Sequence, residues 1–295
     1  MKNKIKTSKG EKLFQFINYI LLSVVILVTL YPVIYVVLAS LSDGDMLLAH
    51  SGMLFKPLGF STDAYIRVFE NDRIISGYGV TLLIAIGGTA LNIVLSIFAA
   101  YFVSKKNIYA LNFVMFFMMF TMYFSGGTVP LYLTVKDLGI YDTLWALVLP
   151  TAISVYNVIV LRTAFTAVPE SMEEAARIDG ANTFTVLFKI LVPLTKATLA
   201  VIMLYYLVAH WNAWFNASIF LQDERLFPLQ LVLREILIEN SDEEMMIGVD
   251  TDSAYSVAES IKYAVIVVSV LPMMVLYPFL QKYFAKGVMI GAVKG

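Results

Sequence analysis

The sequence predicts an all-α protein that crosses a membrane six times. Three observations carry that prediction. The chain has 295 residues and is 59% hydrophobic, where soluble chains run to about 45–50%. Only 15% of it is charged, against about 25% in soluble chains. The charges are clustered and leave six uncharged runs, roughly 15–40, 79–103, 108–125, 143–162, 197–221 and 263–281. A bilayer core requires about 20 apolar residues per helix, and each run is read as one span.

The first run follows Lys2, Lys4, Lys6, Lys9 and Lys12. The apolar part of a secretory leader is about 7–15 residues long. This run is longer, so it reads as an uncleaved first span behind a polar segment, 1–14. Pro32 removes one helix hydrogen bond within it. Residues 41–78 are mixed and read as an outer segment of short helices. Spans 2 and 3 meet at Lys105-Lys106-Asn107, a join short enough to make them antiparallel neighbours. Gly77, Gly79, Gly87 and Gly88 permit close helix contact. After span 3 comes the turn Ser125-Gly126-Gly127-Thr128-Val129-Pro130. The apolar residues Leu131, Leu133, Val135, Leu138 and Ile140 then suggest a short interfacial helix.

Span 4 ends at Arg162, and residues 163–196 form a polar segment before span 5. Residues 222–262 hold ten acidic and three basic residues and read as a solvated loop. Asp242, Glu243 and Glu244 in it are candidates for docking another protein. Span 6 carries Pro272 and Pro278, and a tail of 282–295 follows. No repeat or low-complexity linker interrupts the chain, so a single domain over 1–295 is expected. With the N-terminus inside, the inner segments hold 14 of the 21 Lys and Arg, and the outer ones 7. Orientation follows that count in short loops, which places both termini in the cytoplasm.

Several function classes are excluded. The chain has no cysteine and only two histidines, His50 and His210, so nucleophile–base constellations and thiolate metal sites are absent. It has no G-x-x-x-x-G-K-[ST] loop for ATP, no clustered metal ligands and no basic patch for nucleic acid.

The segment 163–196 is the most informative. Pro169 suits the first position of a helix, which needs no N–H. Glu170, Glu173 and Glu174 fall in the first turns, where the helix dipole favours anions, and Arg177 in the last, where it favours cations. Gly180 suits the left-handed residue that ends a helix. A short helix over 169–179 is therefore expected. Glu170, Glu173, Glu174 and Arg177 share one face, and Met172, Ala175 and Ala176 form a small apolar patch.

Glu174-Ala175-Ala176, three residues, Gly180, nine residues, then Ile190-Leu191-Val192-Pro193 resembles the EAA loop. That loop is the signature of the membrane subunits of ATP-driven, binding-protein-dependent importers. Only Val192 departs from the pattern, standing where the family has Leu. Trp145-Ala146-Leu147, the stretch from Arg162 to Phe184, His210 to Phe215, Phe227-Pro228-Leu229-Gln230 and Gly287–Gly295 add to the resemblance. It runs from about residue 15 to the end, and it is similar to the carbohydrate branch, in particular to permeases for complex oligosaccharides and polysaccharide fragments.

The resemblance implies a maltose-transporter-like, type I importer permease fold in a bacterial plasma membrane. It implies a coupling helix made by Glu170, Glu173, Glu174, Ala175, Ala176, Arg177, Asp179 and Gly180. It implies four kinds of partner: a second, unlike permease, two ATPase subunits, an extracytoplasmic binding lipoprotein or periplasmic protein, and the bilayer. ATP and Mg would be bound by the ATPases, with no cofactor in this chain. The glycine-rich tail would reach the ATPase dimer. The same machine with peptide, amino acid or polyol cargo is the alternative. An ion-coupled carrier would need ionisable groups within its spans, and only His210 qualifies. A membrane sensor or assembly factor would not explain the loop.

Sugars are held by aromatic faces and by amides and hydroxyls. Polar side chains inside spans are functional candidates. Tyr156, Asn157, His210, Trp211, Asn212 and Trp214 are therefore expected along the substrate pathway, with Asn92 and Asn216 as further polar residues. Packing or interfacial anchoring is the competing role for each.

Overall fold

The computed structural model describes residues 8–105, 108–246 and 259–278, with side chains for all but 239–246. The tail 282–295, Lys106, Asn107 and the acidic side chains 242–244 lie outside the described residues. The chain forms two compact units, one built from residues up to Glu70 and 237–268, the other from 71–236 and the residues after 268.

In the first unit, α1 runs Lys9–Ser40. The Ser8 hydroxyl accepts from the Glu11 N–H and the Glu11 carboxylate accepts from the Ser8 N–H, a reciprocal cap that fixes the start. Its 32 residues reach about 48 Å at about 1.5 Å per residue, more than a hydrocarbon core of about 30 Å. The helix continues through Pro32. Its apolar side chains from Leu13 to Leu30 are exposed, which leaves them for lipid or another chain. The outer segment forms α2, Gly44–Leu48, and α3, Asp63–Glu70. Ala39, Leu47 and Leu54 bury together, and the Leu54 N–H donates to the Tyr31 hydroxyl at 2.9 Å.

The second unit opens with α4, Asp72–Leu83, a π-helical turn, Ile84–Gly88, and α5, Thr89–Ser104. These join into one apolar helix of 33 residues. It begins before the expected span because Asn71 caps it, accepting from the Arg73 N–H at 3.0 Å. Next come α6, Leu111–Tyr123, and α7, Thr128–Asp137, bent 115° at the Gly-rich turn. Then follow α8, Trp145–Val148, α9, Val155–Thr166, α10, Glu170–Ile178, and α11, Thr183–Val186. A second π-helical turn, Leu187–Leu191, leads to α12, Val192–Leu194, and α13, Lys196–Trp211, with a bend of 84° before α13. After α14, Phe215–Phe220, part of the acidic stretch read as a loop is helical, as α15, Leu229–Met246. The last described helix is α16, Glu259–Pro278.

Six unbroken spans are not what the described residues contain. Three helices are long and apolar enough to cross a bilayer, or five if each bent pair counts as one span. The run 143–162 is interrupted between α8 and α9. Pro150 lies in that gap and has no N–H with which to continue the helix, while Leu149 before it still has helical angles, φ −68° and ψ −42°. The run 197–221 divides at Trp211 into α13 and α14.

The core of the second unit is α5 against α9 and α13. It buries Ile97, Ala100, Val103, Val158, Leu161, Phe165, Leu199 and Ile202, with Leu187 and Leu191 from the second π-helical turn. An interrupted helix frees backbone groups that lipid cannot satisfy. Here side chains take them. The Asn92 amide donates to Thr151 O and Ala152 O, both at 2.8 Å. The Tyr206 hydroxyl accepts from the Ser154 N–H at 2.9 Å and shares a hydrogen bond with the Ser96 hydroxyl at 2.7 Å. With both Asn92 N–H groups engaged, its Oδ1 faces His210 Nε2 at 2.7 Å, so that ring nitrogen is the donor.

Gly77 and Gly88 make the close approaches their composition allows. A Cβ on Gly77 would meet the Leu229 backbone, whereas one on Gly79 or Gly87 would meet nothing within 4 Å among the described residues. A Cβ on Gly88 would stand 2.7 Å from His210 Nε2. The imidazole is pinned by Asn92 and cannot withdraw without breaking that bond. Gly88→Ala is therefore expected to destabilise the detergent-solubilised protein by about 1–3 kcal/mol, the usual cost of overpacking. Gly87→Ala, with open space around it, is expected to leave the thermal midpoint unchanged. Equal midpoints for the two variants would refute this packing.

Candidate functional site

Helix α10 is where the motif predicts a helix, shorter by one residue at each end. Pro169 precedes it with ψ 130° and Glu170 and Glu173 fill its first turn. Its end is a double cap. The Ala181 N–H donates to Ala176 O at 2.9 Å and the Gly180 N–H to Arg177 O at 3.0 Å. Gly180 has φ +83°, the left-handed region where a Cβ costs about 1–2 kcal/mol.

No residue of α10 is buried, so its shape rests on these caps. The four charged residues share one side, as expected. Glu170, Glu173, Glu174 and Arg177 line a cavity of about 480 Å³ together with Lys105 and Phe165. Glu173 pairs with Lys105 Nζ at 2.5 Å, and that ammonium lies 4.4 Å from the Tyr101 ring centroid. Arg162 Nε donates to Val103 O at 2.7 Å beside it. The Glu173 carboxylate thus faces the end of α5.

The other side of α10 is apolar and open. Met172 is 44% exposed and Ile178 85%, with exposed Ala175 between them. Ala176 is half-buried. Spacing of three residues aligns Met172, Ala175 and Ile178 as one stripe. Ile178 was missed in the sequence, although that spacing marks it. Asp179 and Gly180 are exposed at the end of the stripe.

The pathway candidates divide into two groups. His210 and Trp211 are buried, 4% and 3% exposed. His210 bonds Asn92, and Trp211 Nε1 donates to Ser269 O at 3.2 Å. Trp211 also meets Tyr78 edge-on at 6.3 Å. His210 Nε2 and Trp211 Nε1 are thus engaged within the chain, while His210 also lines the cavity that Asn212 lines. Tyr156 is exposed and tilts against exposed Tyr205 of α13 at 6.3 Å. Asn157 is buried, and its side-chain amide makes no hydrogen bond within the described residues. Asn212 and Trp214 follow α13; Asn212 is exposed and Trp214 half-buried. Asn212 lines a cavity of about 180 Å³ with Thr151, Tyr206, His210 and Asn216. Tyr205 escaped the sequence reading because it sits mid-run among apolar residues.

The sequence pattern of the family described as "Binding-protein-dependent transport system inner membrane component" matches residues 92–290. The chain is 38% identical over 285 residues to the "Polygalacturonan/rhamnogalacturonan transport system permease protein YtcP" of Bacillus subtilis (strain 168), covering 97% of this chain and 99% of that one. It is 38% identical over 288 residues to "Protein LplC" of the same organism, covering 98% and 97%. Among solved structures it is similar to a chain of a bacterial ABC transporter involved in the import of the acidic polysaccharide alginate. The TM-score is 0.86 at 30% identity, with 95% of this chain and 100% of that one covered. An EAA-type segment ending in Gly180, long apolar helices and these matches along most of its length agree: the chain belongs to the family of binding-protein-dependent transport system inner membrane components, as an ABC importer permease.

Proposed function

We propose that this chain is one of two unlike permease subunits of an ATP-driven importer of oligosaccharides or glycan fragments, lodged in a bacterial plasma membrane with both termini in the cytoplasm. The single observation that carries the coupling part is α10: with no buried residue, capped at its C-terminal end, charged toward its own chain and apolar away from it. Met172, Ala175 and Ile178 suit a cleft of an ATPase subunit. Glu173 fixes the helix to this chain through Lys105, with Glu170, Glu174 and Arg177 on the same side. Ala176, Asp179 and Gly180 complete the fitting end. ATP and Mg belong to the two ATPases, and the cargo arrives on an extracytoplasmic binding protein, as the family description supports.

Closure of the ATPases moves α10. The motion passes through α11, the second π-helical turn and α12 into α13, and from Arg162 into the end of α5. ATP-bound and nucleotide-free ATPases fit different arrangements of the spans, so each shifts the population between outward-open and inward-open cavities only by its differential affinity. Along the cavity, Tyr156 and Tyr205 offer aromatic faces, and Asn157 and Asn212 offer amide groups.

Burying Ile178 in a partner stabilises the complex by about 1.5–3 kcal/mol. Ile178→Glu is therefore expected to cut recovery of the ATPase in co-purification at least tenfold while the second permease is retained. Recovery at wild-type levels, or ATP-independent uptake by the chain alone in proteoliposomes, would refute the reading. For the pathway, Tyr156→Ala and Tyr205→Ala are each expected to raise the half-saturating cargo concentration about threefold to tenfold, from an aromatic contact of about 0.5–1.5 kcal/mol. ATPase activity without cargo should not move. Unchanged half-saturation in both variants would remove the tyrosines from the pathway.

A further inference from the structure

The far end of α13 from the coupling segment carries a charge arrangement that the coupling account does not use. Arg234 of α15 is exposed, directly after buried Leu231, Val232 and Leu233. Its guanidinium lies 4.2 Å from the Trp214 ring centroid, a cation held on an aromatic face. Trp214 is itself braced edge-on by Phe215 at 5.5 Å.

Among the described residues no carboxylate pairs with Arg234. The acids nearby in sequence are committed elsewhere. Asp223 bonds Arg225 at 2.7 Å, and those hydrogen bonds hold its carboxyl below the ordinary range. Glu235 pairs with Arg73, and Glu224 lies 3.6 Å from the same guanidinium. So Arg73 and Arg225 are neutralised by acids, and Arg234 is neutralised by none of those described. Stacking spends one face of a guanidinium and leaves its five N–H donors in the plane. That planar fork matches a carboxylate with two parallel bonds, and the indole has already fixed its orientation. Trp214 Nε1 makes no hydrogen bond within the described residues. Two residues before it, Asn212 spends an amide N–H on Val208 O at 2.9 Å, while its Oδ1 accepts none within the described residues. A fork for a carboxylate, a donor and an acceptor for hydroxyls, and an aromatic body are what a uronic acid residue presents partners for.

We propose that Arg234, held by Trp214, is a carboxylate-binding subsite that selects acidic oligosaccharides, those bearing uronic acid residues, as cargo. The inference rests on the reading of the chain as a carbohydrate importer subunit. It narrows that cargo to anionic glycans and assigns the selecting group to this chain.

The test uses the whole importer in proteoliposomes, with binding protein, both permeases and ATPases. Two labelled probes are compared: a trigalacturonate, and the same trisaccharide with its carboxyl groups reduced to alcohols. Wild type, Arg234→Gln, Arg234→Lys and Trp214→Leu are assayed at matched assembly. The expected result is a tenfold or larger rise in half-saturation for the acidic probe in Arg234→Gln, an intermediate rise in Arg234→Lys and Trp214→Leu, and no change for the neutral probe in the two Arg234 variants. Equal losses for both probes, or none for either, overturn the subsite. Loss of ATPase stimulation by cargo-free binding protein in Arg234→Gln also overturns it, because Arg234 then docks a protein carboxylate. A wild-type importer that carries only the neutral probe overturns the subsite and leaves the carbohydrate reading standing. One that carries neither probe nor any other oligosaccharide removes the carbohydrate reading itself.

Discussion

The second unit depends on side chains that close a broken helix. Between α8 and α9 the backbone leaves helical geometry, and inside a bilayer each free N–H or C=O costs several kcal/mol. Asn92 covers two carbonyls and Tyr206 one N–H. Asn92 lies on α5, which precedes the break in sequence, and Tyr206 on α13, which follows it. The clamp therefore ties α5, the break and α13 into one piece, and the apolar packing of Val158, Leu161 and Ile202 is built around it.

This changes what polar residues in the spans mean. Asn92 and His210 look, one at a time, like cargo contacts. In the structure they bond each other, Asn92 also serves the break, and Gly88 is small so that the imidazole fits over the first π-helical turn. The groups proposed for cargo are those with polar atoms or ring faces still open among the described residues: the Asn157 and Asn212 amides, the tyrosine pair and the Arg234 guanidinium. At the other end the same division recurs in α10, where charges are spent on the chain and apolar atoms are left for a partner. A fixed piece between two such surfaces is what carrying motion from one to the other requires.

Much of this was legible in sequence, and the rest was hidden for specific reasons. The caps of α10 depend on local residues, Pro169 and Gly180, so the motif placed the helix within a residue. Long runs without charge marked α1, α5 and α16. Hydropathy could not mark the break in 143–162, because it weighs side chains and the break is a backbone event; Pro150 was the available signal. The partner of Asn92 is 118 residues away, beyond any periodicity. The acidic composition of 222–262 suggested a solvated loop, yet buried Leu229, Leu231, Val232 and Leu233 anchor a helix there. The pairing of Arg234 with Trp214 left no trace in the spacing.

The most direct test of the clamp is hydrogen–deuterium exchange at the Ser154 amide in nanodiscs, comparing wild type with Tyr206→Phe. Losing one hydrogen bond of about 1 kcal/mol is expected to speed exchange at Ser154 by about fivefold. Amides in the middle of α9 should keep their protection. Unchanged exchange at Ser154 would show that the break is held by something other than the Tyr206 hydroxyl, and the account of the spans built on that bond would be contradicted.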